Sequence, residues 1–366
     1  MSQIILSLIA LAFALVSCDT AADSQALWRQ ENLADGPALE RQKSRWIPVN
    51  WSDLPGWADD PIEEVWNAQL QSCRRPHPVF VPLCPQIRQL ALADPQTQRQ
   101  WIEQNLRPYR IEAPGGASEG LLTSYFEPIL MARRLSDADH RVPLHSPPAD
   151  LAARKPWFTR QEIETVPAAR SALRGREIAW LADPIDAMLL HIQGSGRLML
   201  TEPDGSQRQV RVAFSASNDQ PYRSINQWLL DQGVQRIHPW PEATKAWAMQ
   251  NPQRVQALLW SNPRYIFFRE ETLTEPSEGP RGAQGVPLSA GRSIAVDPGS
   301  IPYGTPVWLV SRGPAASLAR LVMAQDTGSA IVGAVRADYF AGTGPQAGQW
   351  AARVRQPLQM WALWPR

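Results

Sequence analysis

One stretch limits the fold more than any other. Ser293 to Gly344 reads SIAVDPGSIPYGTPVWLV, then a short basic and Ala/Pro-rich interruption, then ARLVMAQDTGSAIVGAVRADYFAGTG. Asp297, Asp326 and Asp338 each follow an apolar run, and two of them lead straight into a Gly-containing turn. Strand, Asp and turn in repetition describe a compact all-β unit that brings separate strand ends to one place. Rigid strands hold such carboxylates and turns leave them reachable, which is what acid/base chemistry needs. An Asp before Pro or Gly also caps turns. Asp338, in RADYF, has neither neighbour and answers poorly to that simpler role.

A chain of 366 residues is long enough for about two domains. A formal net charge of +1 gives no electrostatic reason to expect nucleic acid as a partner. With 34 Pro, 16 Trp and only 19% charged residues, a mainly β protein with short helices is expected, not a helical bundle. Indole faces also stack on sugars, although Trp is chiefly a packing residue.

Ile4 to Val16 is an apolar run too short to span a bilayer, and it ends Leu15-Val16-Ser17-Cys18. Small residues before such a Cys resemble a bacterial lipoprotein signal. Residues 1–18 are therefore expected to be removed up to Cys18, which would carry the lipid anchor, with 19–44 as a tether. The expected location is the periplasm, most readily at the outer membrane. Asp19 matches an inner-membrane retention signal and leaves that membrane open. Cys73 and Cys84 read either as a disulfide or as two buried thiols.

In WSDLPGWADDPIEEVWNAQLQSC, Asp60, Pro61 and Glu63 form a helix-start signature, followed by Ile62, Val65, Trp66, Leu70 and Cys73 on one face. A second helix is expected from Asp94-Pro95. From Gly120, GLLTSYFEP crowds Thr123, Ser124, Tyr125 and Glu127 onto a strand and its exit. That is either a solvated sheet edge or the polar wall of a cleft. Further on, LLHIQ, a Gly194-Ser195-Gly196 turn, RLMLT, a Pro-Asp-Gly turn and RQVRVAF read as a β-meander. The first turn is a tight hairpin or a ligand-facing turn led by Gln193. The spacing of a nucleophile elbow around Ser195 is absent.

The five His are scattered without metal-ligand spacing, and neither a phosphate loop nor a dinucleotide fingerprint is present. These observations leave a carboxylate-dependent reaction on a neutral polar substrate, without metal or cofactor. Glycosidic cleavage leads.

The motifs WSDLPGW, GLLTSYFEP, IQGSGRL, NPRYIFF, VDPGSIPYGTPVWL and DTGSAIVGAVRADYFAGTGPQAG, in this order, resemble the membrane-bound lytic murein transglycosylase A family. The C-terminal part resembles its three-aspartate domain. The resemblance implies a double-psi β-barrel built from both chain ends, residues 45–135 and 262–366. It further implies a second β domain inserted at 136–261 and a substrate groove between the two. The implied activity is that of a peptidoglycan lytic exotransglycosylase, with peptidoglycan glycan strands as partner; exo or endo attack, and any wall-synthesis or division proteins, stay open. Asp338 matches the family's catalytic acid. Asp326 would be its neighbour, raising its pKa by like charge. Thr123, Ser124, Tyr125, Glu127, Gln193, Ser195 and Asp297 would bind substrate, Asp297 chiefly by organising its turn.

Ser329 and Val332 stand where the family usually has Gly and Lys, Asp219 follows Asn218 where Gly is usual, and Asn226 also replaces a Gly. These departures bear on loop shape and on contacts in the groove. Two other readings remain: a hydrolase on the same barrel with Asp326 or Asp297 holding a water, and a non-catalytic wall-binding lipoprotein.

Overall fold

The computed structural model describes residues 33–235, 239–273 and 275–366. Cys18, the signal segment and most of the expected tether lie outside the described residues.

Four strands come first: β1 (Leu39–Glu40), β2 (Arg45–Pro48), β3 (Leu106–Glu112) and β4 (Gly120–Glu127). A middle group follows: β5 (Ile129–Arg133), β6 (Val142–His145), β7 (Glu177–Leu181), β8 (Ser195–Thr201), β9 (Gln207–Ser217) and β10 (Ile266–Thr272). The last group is β11 (Ser293–Val296), β12 (Pro306–Arg312), β13 (Ser317–Asp326), β14 (Arg336–Thr343) and β15 (Arg355–Pro365).

The first and last groups share one nine-stranded sheet, in the order β1-β2-β3-β15-β12-β13-β11-β14-β4. Because β4 also pairs with β15, six of these strands close into a ring and the sheet is barrel-shaped. Within the ring, β11 and β13 run parallel, as do β14 and β4. The middle group forms a separate six-stranded sheet, β10-β9-β8-β5-β7-β6.

The apolar run of β12 follows from burial on both faces. Val307 and Leu309 enter the core inside the ring, with Ile294, Val296 and Val322. Trp308 and Val310 point the other way, into a layer with Val65, Trp66 and Ile102 from the N-terminal helices. Trp57 meets Trp308 edge-on at 5.1 Å. Each such side chain contributes about 1.5–3 kcal/mol by leaving water, so the helices Glu63–Ser72 and Pro95–Asn105 are packing elements of the barrel. Cys73 and Cys84, in this outer layer, are joined as a disulfide.

Four expectations need correcting. The end of the expected tether is folded: β1 pairs with β2, and Lys43 reaches Asp297 at 2.9 Å. The second sheet starts earlier and ends later than 136–261, because β5 pairs with β8 and β10 with β9; periodicity marks a strand but does not name its partner. Asp60 is no helix cap, since the helix begins at Glu63 with Ile62 before it. Its carboxylate is buried and accepts from Arg292 at 2.8 Å and from the Leu321 N–H at 3.0 Å.

Finally, LLHIQ is helical. Pro184–Gln193 is an α-helix with Asp183 capping the Ile185 N–H and Pro184 at its first position. Gly194, at φ 80°, stops it in the left-handed conformation that glycine adopts freely. Ser195 then opens β8 directly. Short apolar runs read equally well as strand or buried helix, and here the cap residues decide.

Candidate active site

Asp338 sits in β14 between two partners, in register with Thr123 of parallel β4 and Ala295 of antiparallel β11. Its Oδ1 accepts from Thr123 Oγ1 at 2.5 Å, and Thr123 Oγ1 in turn accepts from Arg336 Nη2 at 2.8 Å. Asp338 Oδ2 makes no hydrogen bond among the described residues. Burial raises the Asp338 pKa above the ordinary carboxyl value, with the Arg336 charge and the Thr123 hydrogen bond pulling it back.

Asp326, the last residue of β13, is held differently. Its Oδ2 accepts from Tyr125 OH at 2.8 Å and its Oδ1 from the Ala283 N–H at 2.9 Å. Burial nevertheless pushes its pKa up to about 6, against those bonds and with a small contribution from Asp338. The expected cause is thus corrected: water exclusion, more than like charge, raises both carboxyls. The charge of Asp338 acts on Asp326, and the Asp338 shift owes nothing resolved to Asp326.

A cavity of about 210 Å³ adjoins both aspartates and is lined by Thr123, Ser124, Tyr125 and Gln193. A second, of about 560 Å³, shares Tyr125, Gln193, Asp326 and Gly328 with it and adds Gly194, Ser195 and Ser329. Residues of both sheets' units line these two adjoining cavities. Ser124 donates to the Tyr339 carbonyl at 2.6 Å, and Gln193 Oε1 accepts the Phe126 N–H at 3.0 Å. Both side chains are fixed to the barrel backbone.

Two expected binding residues lie elsewhere. Glu127 is 0% exposed and lines neither cavity. It accepts from Arg197 Nε at 2.8 Å, Arg211 Nε at 2.6 Å and Thr343 Oγ1 at 2.8 Å. Its carboxylate ties the end of β4 to β8, β9 and β14. Asp297 is likewise committed. It accepts from the Gly299 N–H at 3.0 Å, the Gly333 N–H at 2.9 Å and Lys43. Burial works to raise its pKa, but these donors outweigh it and hold the carboxyl below its usual range.

Tyr222 and Trp240 line the 210 Å³ cavity without having been singled out. Neither sits in a motif, and in a chain with 16 Trp abundance hides the one that lines this cavity. Asn226, noted only as a departure, also lines it, with a buried Oδ1 that has no partner. Among the described residues, no group of three or more His, Cys, Asp or Glu could hold a metal ion, and no helix is long and apolar enough to cross a membrane.

Two family models match: the MltA specific insert domain over residues 121–269 and the 3D domain over 292–364. Membrane-bound lytic murein transglycosylase A of Vibrio cholerae is 29% identical over 300 residues, covering 78% of this chain and 76% of that protein. Among solved structures, the lytic transglycosylase LtgG of Burkholderia pseudomallei is 40% identical, with a TM-score of 0.60, over 90% of this chain and 97% of that one. The membrane-bound lytic murein transglycosylase of Agrobacterium tumefaciens is 30% identical, with a TM-score of 0.74, over 87% and 97%. The ring of strands carrying Asp326 and Asp338, the second sheet set into it and these likenesses agree: the chain belongs to the membrane-bound lytic murein transglycosylase A family.

Proposed function

We propose that the chain is a lytic transglycosylase that cleaves the β-1,4 bond between N-acetylmuramic acid and N-acetylglucosamine in peptidoglycan without water. In this reading the closed ring is a double-psi barrel, and the space between the two units is the glycan groove. The observation that carries the reading is Asp338, a carboxyl raised by burial, with one oxygen pinned and the other unpartnered towards the cavity.

Protonated Asp338 gives its proton to the glycosidic oxygen. The C1–O bond breaks, and its electron pair stays on the leaving sugar's oxygen, now a hydroxyl. The muramic acid's C6 hydroxyl attacks C1, and the Asp338 carboxylate takes up that hydroxyl's proton. One aspartate thus acts as acid and then base, and the product is a 1,6-anhydro sugar. Thr123 aims the carboxyl. Asp326, with Tyr125, supplies a negative pole that opposes the positive charge developing at C1. Thr123, Ser124, Tyr125, Gln193 and Ser195 bind the glycan in this reading. Glu127 and Asp297 hold the walls in place. The enzyme works at a membrane in the periplasm, tethered through a lipid on Cys18.

Mass spectrometry of purified peptidoglycan incubated with the protein and with Asp338→Asn tests this. Anhydro-muropeptides are expected from the parent and none from the variant. Reducing ends would make the protein a hydrolase, and retained glycan binding with no product from either would make it a binding module.

A further inference from the structure

On the second sheet's side lies a cavity of about 740 Å³ that contains neither aspartate. Small-molecule sites span about 300–1,000 Å³, so it is of the size of a ligand site. In its wall are four polar side chains almost wholly removed from solvent: Arg160 (4% exposed), His191 (7%), His145 (6%) and Tyr265 (5%). The glycan reading uses none of them.

Arg160 is the unusual one. Buried guanidinium groups are ordinarily paired with a carboxylate, because an uncompensated buried charge is costly. Arg160 has only neutral partners: the Asn262 carbonyl at 3.2 Å, the Arg264 carbonyl at 2.8 Å and His191 Nδ1 at 2.7 Å. Glu164, on the same helix, is taken by Gln256 and by Trp260 Nε1. Arg160 Nη1 makes no hydrogen bond among the described residues and is not among the atoms sealed from solvent, and Arg160 lines the cavity. Burial also pushes the Arg160 pKa down to about 10, and the charges of Tyr265 and Glu164 only partly oppose it.

His191, whose pKa burial holds well below its usual value, is a neutral partner of Arg160. Arg160 can only donate, so His191 Nδ1 accepts and the ring's proton is on Nε2. That Nε2 is sealed from solvent and has no partner among the described residues, so it does not open on the cavity. Arg141 and Arg170 stand on the same cavity, while Ile163, Leu173 and Leu259 make much of its wall apolar. Glu164 and Glu177 line the cavity too, so three guanidiniums face two carboxylates; the excess cation calls for an anion, and the apolar wall calls for an organic one.

We propose that this cavity, which contains neither aspartate, is a second ligand site that takes the carboxylate of a small organic acid or short peptide against Arg160, with Arg141 and Arg170 beside it. The carboxylate would accept from the N–H groups of Arg160 Nη1, which gives the buried cation a counter-charge in direct contact.

Isothermal titration of the whole chain with N-acetyl-dialanine, its C-terminal amide, acetate and inorganic phosphate tests the site. The free acid is expected to bind, the amide about tenfold or more weakly, as loss of a charged hydrogen-bonded partner requires. Acetate binding without the peptide would keep the carboxylate chemistry and assign the site to small free acids. Saturating chitotetraose, which carries no carboxylate, should leave the acid's affinity unchanged, and Arg160→Gln should abolish it. Equal binding of acid and amide, no binding of either acid, binding of phosphate alone, or displacement by chitotetraose would each overturn the proposal. The acid–amide comparison needs no variant, so it stands even if Arg160→Gln does not fold. No readout is turnover, so glycan cleavage could fail while this site holds.

Discussion

Thr123 donates to Asp338 over 2.5 Å from the position directly in register on the neighbouring parallel strand, 215 residues away in the chain. One end of the chain thus supplies the carboxyl and the other fixes its orientation. Arg336 holds the same hydroxyl from the far side. The hydroxyl proton is thereby committed to Asp338, and the carboxyl's second oxygen makes no hydrogen bond among the described residues.

Thr123→Val keeps the strand residue's shape and removes that donor. The lost bond favours the carboxylate, so its removal raises the Asp338 pKa further and moves the alkaline fall of kcat to higher pH. Mis-aiming of the acid should lower kcat by about tenfold at the optimum. A pH–rate profile of the variant against parent checks both. An alkaline limb that stays put would show the bond to be idle.

Asp326 carries a pKa near 6 against an ordinary 3.8, so the folded state binds its proton more tightly than the unfolded chain does. Stability should therefore fall as pH rises from about 4 to about 6 and stay lower above that. Asp326→Asn removes this penalty and should be more stable than the parent at pH 7.5, by the order of 1–2 kcal/mol, and no more stable at pH 4. Urea unfolding at the two pH values measures it. Equal midpoints at pH 7.5 would refute the assigned burial penalty.

Glu127→Ala leaves Arg197 and Arg211, each 5% exposed, without their counter-charge at the junction between the sheets. Breaking a buried pair in this way costs about 3–5 kcal/mol. The denaturation midpoint should drop accordingly, while the fraction that folds keeps its glycan affinity, because Glu127 does not reach the cavity. A loss of affinity with unchanged stability would instead return Glu127 to the binding site.

Asp219 has φ 55°, the one left-handed conformation found at a non-glycine among the described residues. It follows Asn218, which is fully buried and bonded to the Phe158 and Pro263 carbonyls and the Tyr265 N–H. That fixed neighbour leaves the turn no freedom to relax. Asp219→Gly should stabilise the protein by about 0.5–1 kcal/mol, as thermal unfolding would show, since glycine adopts this conformation without a Cβ clash. A destabilised variant would mean that the Asp219 side-chain contact with Ser217 matters more than the strain.

Much of the barrel was legible because its strands are self-evident runs. IAV, PVWLV and ARLVMA lie in or against β11, β12 and β13, and Asp326 closes its strand where an apolar run meets a Gly turn. The six motifs likewise carried the family. What failed to be legible were roles that depend on a distant partner. Asp60 looked like a cap because Pro61 and Glu63 follow it, yet Arg292 and the Leu321 N–H claim its carboxylate. LLHIQ looked like a strand until Asp183 and Gly194 acted as helix ends.

Local order therefore determined which residues make strands and turns, where the three aspartates stand along them, and which family the chain joins. Tertiary structure alone decided what each acidic side chain does. Asp297 is spent on two backbone amides and Lys43, Glu127 on two buried guanidiniums, and Asp338 keeps an oxygen unpartnered among the described residues. Period and propensity record which face of its own strand a residue occupies. The charge, donor or cavity opposite that face comes from a strand up to some two hundred residues away, and only closure of the ring brings it there.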